Sequence, residues 1–298
     1  MAQPPETFSD ENLPATFQAA DATAIRARRR YLRFVKANLV LVLTGAAFFS
    51  VSVRAEETRR LLNLVSAACF GLGLVVSVAT ASANDDRIWP KARERAEDIK
   101  AKAWRFMAGA EPFLMTLPLA DAEAAFLAAL VNDRQHGAPT DPAMTGRREI
   151  TSAMLAVRTS PLSERSQMYS MSRLNDQRRW YAAKATASDR SARFWSVGLF
   201  CAQGGALLSA LAAIWRPFLP LNGRTFFTAL AGLCLGWLRA TQHRQLSTVY
   251  ADVANALNIL MERALRARNE DELNTVVQQA ELTMSRERDT WIARRTMN

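Results

Sequence analysis

The chain has 298 residues, and Lys and Arg outnumber Asp and Glu so strongly that the formal net charge at pH 7 is +10. A basic balance of this kind suits anionic lipid headgroups, nucleic acid or a nucleotide, and alone it does not choose among them. The three cysteines all lie within apolar runs, which argues against a disulfide framework or a thiolate metal site, and no cofactor is predicted.

Four long apolar segments stand out along the chain, and each is close to the roughly 20 residues that span a bilayer as a helix. They cover about 37–53, 61–83, 194–215 and 218–238. A buried core helix is the alternative for any one of them, but the short connections within each pair favour two hairpins. The predicted fold is an all-α integral membrane protein with two transmembrane helical hairpins, or four spans, and long amphipathic cytoplasmic helices that form a bundle.

Basic residues are concentrated at the open ends of the predicted hairpins. Six lie within 26–36, before the first span, and four lie within 87–95, after the second. Because cytoplasmic flanks carry the excess of Lys and Arg, both termini and the middle of the chain are predicted to be cytoplasmic, with the spans in the inner membrane. Apart from Arg224, near the start of the fourth segment, the spans contain no charged residue. This absence argues against an ion-coupled transporter.

Small residues recur at four-residue spacing in the spans, which lets helices approach closely. For them we favour packing within one chain over a dedicated oligomer interface. Gln203 is one of the strongest polar groups in the spans. It can bond to a neighbouring helix or line a pore, and we favour the first. The small-residue pairs are Ala67 with Gly71, Gly73 with Ser77, Gly205 with Ser209, and Gly232 with Gly236.

Outside the spans, apolar residues follow the three- and four-residue steps of amphipathic helices. One stripe follows the second span, and two stripes separated by a break at 269–271 follow the fourth. We favour a bundle within the chain over a coiled coil between subunits. The predicted organisation is a flexible tail (1–20), a first unit (21–110), a linker with a short helix (111–154) and a second unit with a C-terminal helical hairpin (155–298). The stripes are Trp89, Ala92, Ala96, Ile99, Ala103 and Phe106; Leu246, Tyr250, Val253, Leu257, Leu260 and Ala264; and Leu273, Val277, Ala280, Met284, Glu287 and Trp291.

The segment before the third span resembles the signature of the SLATT family, whose name stands for SMODS- and SLOG-associating two-transmembrane effector domain. It is carried by Tyr169, Arg173, Asp176, Gln177, Trp180, Tyr181 and Lys184. The last helix resembles the C-terminal helix of that family through Glu281, Glu287 and Trp291. A second, weaker match lies in the first half at Trp89, Arg93, Glu97, Lys100 and Trp104. The chain therefore resembles a tandem SLATT protein over roughly 20–110 and 155–295.

The resemblance implies a membrane effector of a bacterial conflict or antiviral defence system, in which pore formation follows a nucleotide signal. The family provides no catalytic residue to carry over. We expect the signature residues to anchor and pack, with ligand sensing or gating as the alternative. The sequence also contains no Gly-rich phosphate loop and no G-x-S-x-G or H-E-x-x-H motif. An enzyme is therefore not expected, and no metal ligands are predicted.

The predicted partners are a bilayer with anionic headgroups and further copies of the chain. A cytoplasmic partner or a nucleotide stays open, whereas nucleic acid is disfavoured because the Arg-rich segment adjoins a membrane helix. Two alternatives to the pore-forming effector remain. One is a membrane-anchored scaffold that docks a cytoplasmic partner, and the other is a sensor that binds an anionic ligand through Arg93, Lys100 and Arg105. The predicted contacts with lipid or anions are Arg28, Arg29, Arg30, Arg33, Arg93 and Arg105.

Overall fold

The computed structural model describes residues 8–51, 55–134, 147–215 and 223–296, and within these ranges the chain is helical with no strand. The all-α prediction is confirmed. The first half contains a short 3₁₀ turn at Asp10–Asn12 and helices α1 (Ala15–Ser50), α2 (Glu56–Ala83), α3 (Asp85–Ala108), α4 (Leu119–Arg134) and α5 (Ser152–Arg158). The second half contains α6 (Leu162–Met168), a π-helical segment (Tyr169–Leu174), α7 (Asn175–Trp215), α8 (Gly223–Thr241), α9 (His243–Leu265) and α10 (Glu270–Thr296).

Local chemistry explains where several of these helices begin and end. The chain leaves α2 at Asn84, whose φ of 52° is left-handed, so α2 and α3 are separate helices. Helix α3 ends at Gly109, whose φ of +73° is a conformation that residues with a side chain rarely adopt. Helix α5 begins after Thr151, whose hydroxyl accepts a hydrogen bond from the Met154 backbone N–H at 3.2 Å.

The chain forms two compact units, and each draws on both halves of the sequence. The first, which we call the core unit, contains Met1–Ala27, Asp86–Ala185 and Thr248–Asn298. The second, the hairpin unit, contains Arg28–Asp85 and Thr186–Ser247. The predicted spans therefore fall in the hairpin unit, and most of the predicted amphipathic helices fall in the core unit.

The apolar stripes predicted from sequence form the interior of the core unit. On α3, Ala96, Ile99 and Phe106 are fully buried, and on α9 and α10 Leu257 and Val277 are fully buried as well. Burial of each large apolar side chain stabilises the fold by about 1.5–3 kcal/mol. The stripe residues Trp89 and Leu246 are only half-buried. The side chains of Glu287 and Trp291 lie outside the described part of α10.

The first 20 residues were predicted to be a loose tail, and from residue 8 onward this prediction is wrong. Phe8 and Leu13 are buried, and the Phe8 backbone N–H donates to Ser172 Oγ at 3.1 Å. Thr16, in the first turn of α1, donates its hydroxyl to Glu149 at 2.6 Å. The prediction rested on three prolines, Pro4, Pro5 and Pro14, and on the small number of large apolar residues in this stretch. Pro14 in fact directly precedes α1, where a missing N–H has no cost, and the few apolar residues around it fill the core.

In the hairpin unit, α1 and α2 pack as an antiparallel pair, as predicted. Asn38 donates its side-chain amide to Ser77 Oγ at 3.0 Å, and nearer the tip Ser66 donates its hydroxyl to the carbonyl of Gly45 at 2.8 Å. The predicted small residue Gly73 is one point of close approach, because a Cβ atom there would lie 3.1 Å from the Asn38 side-chain oxygen. The pair is therefore held by interhelical hydrogen bonds as well as by apolar packing.

The second hairpin, α7 with α8, is packed mainly by small and aromatic residues. A Cβ atom at Gly205 would lie 2.7 Å from the Phe227 ring, so only glycine fits. Towards the open end, the rings of Trp195 and Trp237 lie 5.5 Å apart. The contact between Trp195 and Trp237 lies farther from the tip of the hairpin than the contact between Gly205 and Phe227 on both helices, so α7 and α8 run antiparallel. The predicted small residue Gly232, in contrast, faces open space, since a Cβ atom there meets no atom within 4 Å.

Three helical stretches are long and apolar enough to cross a membrane: Ala15–Ser50, Glu56–Ala108 and Leu162–Ile214. They contain the second predicted span and nearly all of the first and third. The fourth, predicted at about 218–238, is helical from residue 223 but is not one of these three, and its first residues lie outside the described ranges. A fourth span therefore stays a prediction.

Candidate functional site

A buried ion pair lies inside the core unit and joins two residues of the family-like signature. Arg173, in the π-helical segment, donates from Nε and Nη2 to the two carboxylate oxygens of Glu281 on α10 at 3.0 and 2.8 Å. Both side chains are only 2% exposed. Two parallel hydrogen bonds between a guanidinium and a carboxylate combine directionality with charge. Short π-helical segments within longer helices are frequent at functional sites, and this one places Arg173 towards α10.

Tyr169 and Glu97 extend this pair into a network. The Tyr169 hydroxyl donates to Glu281 Oε1 at 3.1 Å, and Glu97 Oε2 lies 3.7 Å from Arg173 Nη1. Burial, and then the Glu281 carboxylate, raise the pKa of Tyr169 well above its usual value, so the phenol stays protonated and continues to donate. The network therefore places one cation between two carboxylates from different helices.

The balance of charge keeps Arg173 ionised although water is excluded. Burial is the largest single influence and acts against the charged form, but the charge and hydrogen bond of Glu281, together with Glu97 and Tyr169, outweigh it, so that the pKa of Arg173 is raised overall. Within the described residues Arg173 Nη1 has no hydrogen-bond acceptor, since Glu97 is too distant for one. Removing one member of a buried pair leaves the other charge uncompensated, at a cost of about 3–5 kcal/mol. We call Tyr169, Arg173, Glu281 and Glu97 the buried network.

Aromatic rings enclose one side of the buried network. Trp104 packs edge-on against Tyr169 with ring centroids 5.9 Å apart, and Phe8 packs on Trp104 at 5.2 Å. Trp104 is 2% exposed, so its role in the family-like pattern is to pack in the core. These rings keep water away from the charges and strengthen their attraction.

Two of the three cations proposed to sense an anionic ligand are already paired with carboxylates of the chain. Arg93 forms ion pairs with Asp21 at 2.8 Å and with Glu97. Lys100 Nζ lies 2.6 Å from Asp10. The third, Arg105, is half-buried, and its Nε has no hydrogen-bond partner among the described residues. An anion that bound Arg93 would have to displace the carboxylate of Asp21 or Glu97, and one that bound Lys100 would have to displace that of Asp10.

Three more signature residues, Trp180, Tyr181 and Lys184, form a separate aromatic cluster on α7 with Tyr250 of α9. The ring of Trp180 lies 4.9 Å from that of Tyr181 and 6.1 Å from that of Tyr250, and the ammonium of Lys184 lies 5.5 Å from the Trp180 ring. Tyr181 and Tyr250 are buried, whereas Trp180 is 43% exposed. The cluster is thus separate from the buried network. Two further signature residues lie on the first turn of α7, where Asp176 is exposed and Gln177 is half-buried.

The predicted lipid-contacting arginines of α1 differ in their surroundings. Arg28, Arg29 and Arg33 are exposed, as headgroup contacts require. Arg30 instead binds both carboxylate oxygens of Asp85, the first residue of α3, and Asp85 is only 1% exposed. The prediction that Arg30 contacts lipid or another anion therefore competes with an internal ion pair that joins α1 to the start of α3.

Two buried arginines, one on α5 and one on α6, were missed by sequence reasoning. Arg158 donates from Nη1 to the carbonyl oxygens of Phe106 and Phe113 at 2.6 and 2.9 Å. Arg165 donates to the Ala108 carbonyl at 2.7 Å and also binds Glu270. Burial, and then the neighbouring Arg165, lower the pKa of Arg158.

Both arginines donate to carbonyl groups where α3 ends, and of these the Phe106 carbonyl also accepts the Gly109 backbone N–H. The only sequence signal for them was the helix end at Gly109, which leaves such carbonyls unpaired. That signal does not say which cation of the chain will bind them.

The side chains of the buried network, and Arg158 and Arg165, are bound to other groups of the core unit, so this arrangement holds the core unit together. Within the described ranges, no group of three or more His, Cys, Asp or Glu residues is placed to hold a metal ion. The chemistry available at the buried network is the making and breaking of ion pairs and hydrogen bonds between helices.

Two family models match the chain and together cover most of it. The model described as "SMODS and SLOG-associating 2TM effector domain 3" matches residues 14–166, and the one described as "SMODS and SLOG-associating 2TM effector domain 1" matches residues 169–291. The resemblance seen in the sequence is confirmed, and the first match also includes the predicted linker. No curated protein and no solved structure matches the chain.

Proposed function

The chain belongs to the SLATT family as a tandem of two such domains, and from this premise we propose that it permeabilises the bilayer as an assembled effector of a bacterial conflict system. The family description supplies the effector role and the two transmembrane helices of each domain. The absence of charged residues from the first three predicted spans supports permeabilisation over coupled transport, because a coupled transporter needs an ionisable group within the membrane.

The observation that carries this proposal is how little of each span is covered by the rest of the chain. Only 6%, 11% and 6% of the most apolar windows of the three spanning stretches are buried. Most residues of these helices therefore keep part of their surface free to face lipid or another protein. A single chain with so little interior has no room for a water-filled path, so permeabilisation requires several copies.

The proposed topology has four spans, with both termini on the cytoplasmic side of the inner membrane. Exposed basic residues on α1, among them Arg28, Arg29 and Arg33, support the orientation because they suit the anionic cytoplasmic leaflet. The pairing of α8 with α7 supports the fourth span. Labelling of single introduced cysteines from either side of the membrane would test both statements.

The direct test is dye release from liposomes that contain the purified full-length protein, with and without candidate nucleotides. Gly205→Leu is expected to abolish release, because a side chain there runs into the Phe227 ring and separates the second hairpin. Gly232→Leu is the matched control, since that position faces open space, and it should retain release. The proposal fails if the wild-type protein releases no dye in any condition and leaves the membrane potential of expressing cells unchanged.

The alternative is a membrane-anchored scaffold that docks a cytoplasmic partner, and the outer face of α4 favours it. Ala122, Phe126 and Leu130 of this helix are buried, whereas Leu127 and Val131 are 42% and 54% exposed. Exposed apolar side chains grouped on one helix face are typical of a docking surface. In this case the wild-type protein should release no dye, and Leu127→Glu should abolish a stable complex with the partner.

A further inference from the structure

Gln203 lies near the middle of an apolar span and is exposed. The uncharged run at 194–215 places it about 2 Å from the midpoint, at 1.5 Å of rise per residue. Within the described part of the chain, its side-chain amide makes no hydrogen bond. A primary amide has two donors and one acceptor oxygen, and all of them are unsatisfied here.

Hydrocarbon cannot satisfy these groups, and α7 does not satisfy them either. An unpaired amide in an apolar medium carries a large desolvation cost. Hydroxyl groups in the spans avoid it by bonding to their own helix, as Thr80 does to the Val76 carbonyl at 2.7 Å. Asn38 reduces it by donating to Ser77 within its hairpin, although its side-chain oxygen has no partner among the described residues. Gln203 therefore requires a partner outside the described part of the chain.

The residues around Gln203 form a seam of the kind that packs against another helix. Phe200, Leu207 and Ile214 on the same face are 70%, 61% and 74% exposed. Together with Gln203 and Ala210 they follow steps of three and four residues, the spacing at which one helix presents a continuous stripe to another. We call these five residues the outer stripe.

The outer stripe points away from the face of α7 that packs on α8. That inner face includes Ala202, which is 1% exposed, and Gly205, which abuts Phe227. A helix turns about 100° per residue, so Gln203 points roughly 120° from the centre of the inner face. The outer stripe is therefore available while the second hairpin stays intact.

We propose that the outer stripe is the interface between two copies of this chain, with the Gln203 amides hydrogen-bonded to each other. Copies inserted in the same orientation are related by rotation about the membrane normal, which keeps each residue at the same depth. Gln203 of one copy therefore meets Gln203 of the next. Because an amide both donates and accepts, the pair is self-complementary, and a second copy satisfies it at the required depth. This interface adds a specific contact between copies to the proposed function. It rests on that proposal because it requires α7 to lie in the membrane.

The test is energy transfer between donor- and acceptor-labelled full-length chains in phosphatidylcholine–phosphatidylglycerol vesicles of increasing lipid content. Gln203→Leu should weaken association about tenfold, as expected for the loss of one or two interhelical hydrogen bonds. Gln203→Asn, which keeps an amide, should retain most of it. Leu208→Ala is the matched control because Leu208 is 67% exposed on the same helix but off the outer stripe. Unchanged association in Gln203→Leu would overturn the interface, and so would equal weakening in all three variants.

Cysteine cross-linking provides a second measurement that does not depend on weakening the interface. In a background with the three native cysteines replaced by Ala, Leu207→Cys should form dimers under mild oxidation, and Leu208→Cys should form few. Equal cross-linking at both positions, or none at Leu207→Cys, would contradict the interface.

Dye release from the same vesicles is recorded as a separate signal. Association that depends on Gln203 without any release would support the interface and contradict permeabilisation. Release that changes in Gln203→Leu while association does not would indicate a pore-lining role and overturn the interface.

Discussion

Because the buried network is shielded from water, removing one of its charges should cause a large loss in the free energy of unfolding. Replacing Glu281 with Gln keeps the shape of the side chain but removes the charge that faces Arg173, and both side chains are 2% exposed. The remaining guanidinium is then buried without an adequate counter-charge, because Glu97 is 3.7 Å away and also binds Arg93. We expect a loss of about 3–5 kcal/mol in the free energy of unfolding. For a chain of this size, that corresponds to a fall of roughly 10 °C in the unfolding midpoint.

The assay is thermal unfolding of the full-length protein in detergent, followed by circular dichroism. Glu262→Gln is the matched control, since Glu262 forms an exposed ion pair with Arg266 at 3.6 Å in the same unit. Exposed pairs of this kind contribute about 0–1 kcal/mol, so the control should unfold close to the wild-type temperature. Adding Arg173→Met to Glu281→Gln removes the stranded charge and should recover part of the loss.

The reasoning is refuted if Glu281→Gln unfolds at the temperature of the Glu262→Gln control. It is refuted as well if the double variant is as unstable as the sum of its single changes, because the stranded charge would then not be the cause.

Three further predictions concern other parts of the chain. Gly205→Ala should lower the unfolding midpoint more than Gly204→Ala, because an added Cβ meets a phenyl ring 2.7 Å away at the first position and no atom within 4 Å at the second; equal effects would contradict the packing of the second hairpin. Tyr169 has a pKa raised well above 10 in the folded protein, so its contribution to stability is complete below pH 10 and declines as the pH rises further. Above pH 10, the unfolding midpoint of Tyr169→Phe should therefore fall less steeply with pH than that of the wild type. Identical slopes in the two proteins would contradict this role of Tyr169. Asp85→Asn should destabilise the protein more than Asp86→Asn in the same thermal assay, since the first carboxylate is buried and paired with an arginine while the second is exposed; the reverse order would contradict the ion pair.

The helices and their buried faces were predictable because a helix that is buried on one side has a periodic pattern of apolar residues. The stripe on α9, from Tyr250 through Leu257 to Ala264, is buried as the spacing indicated. The break between α9 and α10 was visible at Asn269. A helix that packs on one side alternates apolar and polar residues every three or four positions whatever its partner is. Sequence therefore indicates which face is buried, but not which helix covers it.

The buried network illustrates the part that sequence could not provide. Arg173 and Glu281 were both singled out by the family-like pattern, but they are 108 positions apart, and nothing in either segment indicates that they meet. Arg158 and Arg165 were missed for a related reason. Arginine in a polar segment is usually solvated, and only the fold shows that these two bind the carbonyl groups at the end of α3.

The contacts of the core unit also change how the tandem organisation is understood. The sequence indicated two successive units, but the buried network combines Glu97 of the first family match with Arg173 and Glu281 of the second. Arg165 of the first match likewise binds Glu270 of the second. A half without the other would contain buried charges with no counter-charge, which is unfavourable by several kcal/mol for each. The two domains therefore depend on each other for a stable core, and a signal that breaks the buried network would act on both at once.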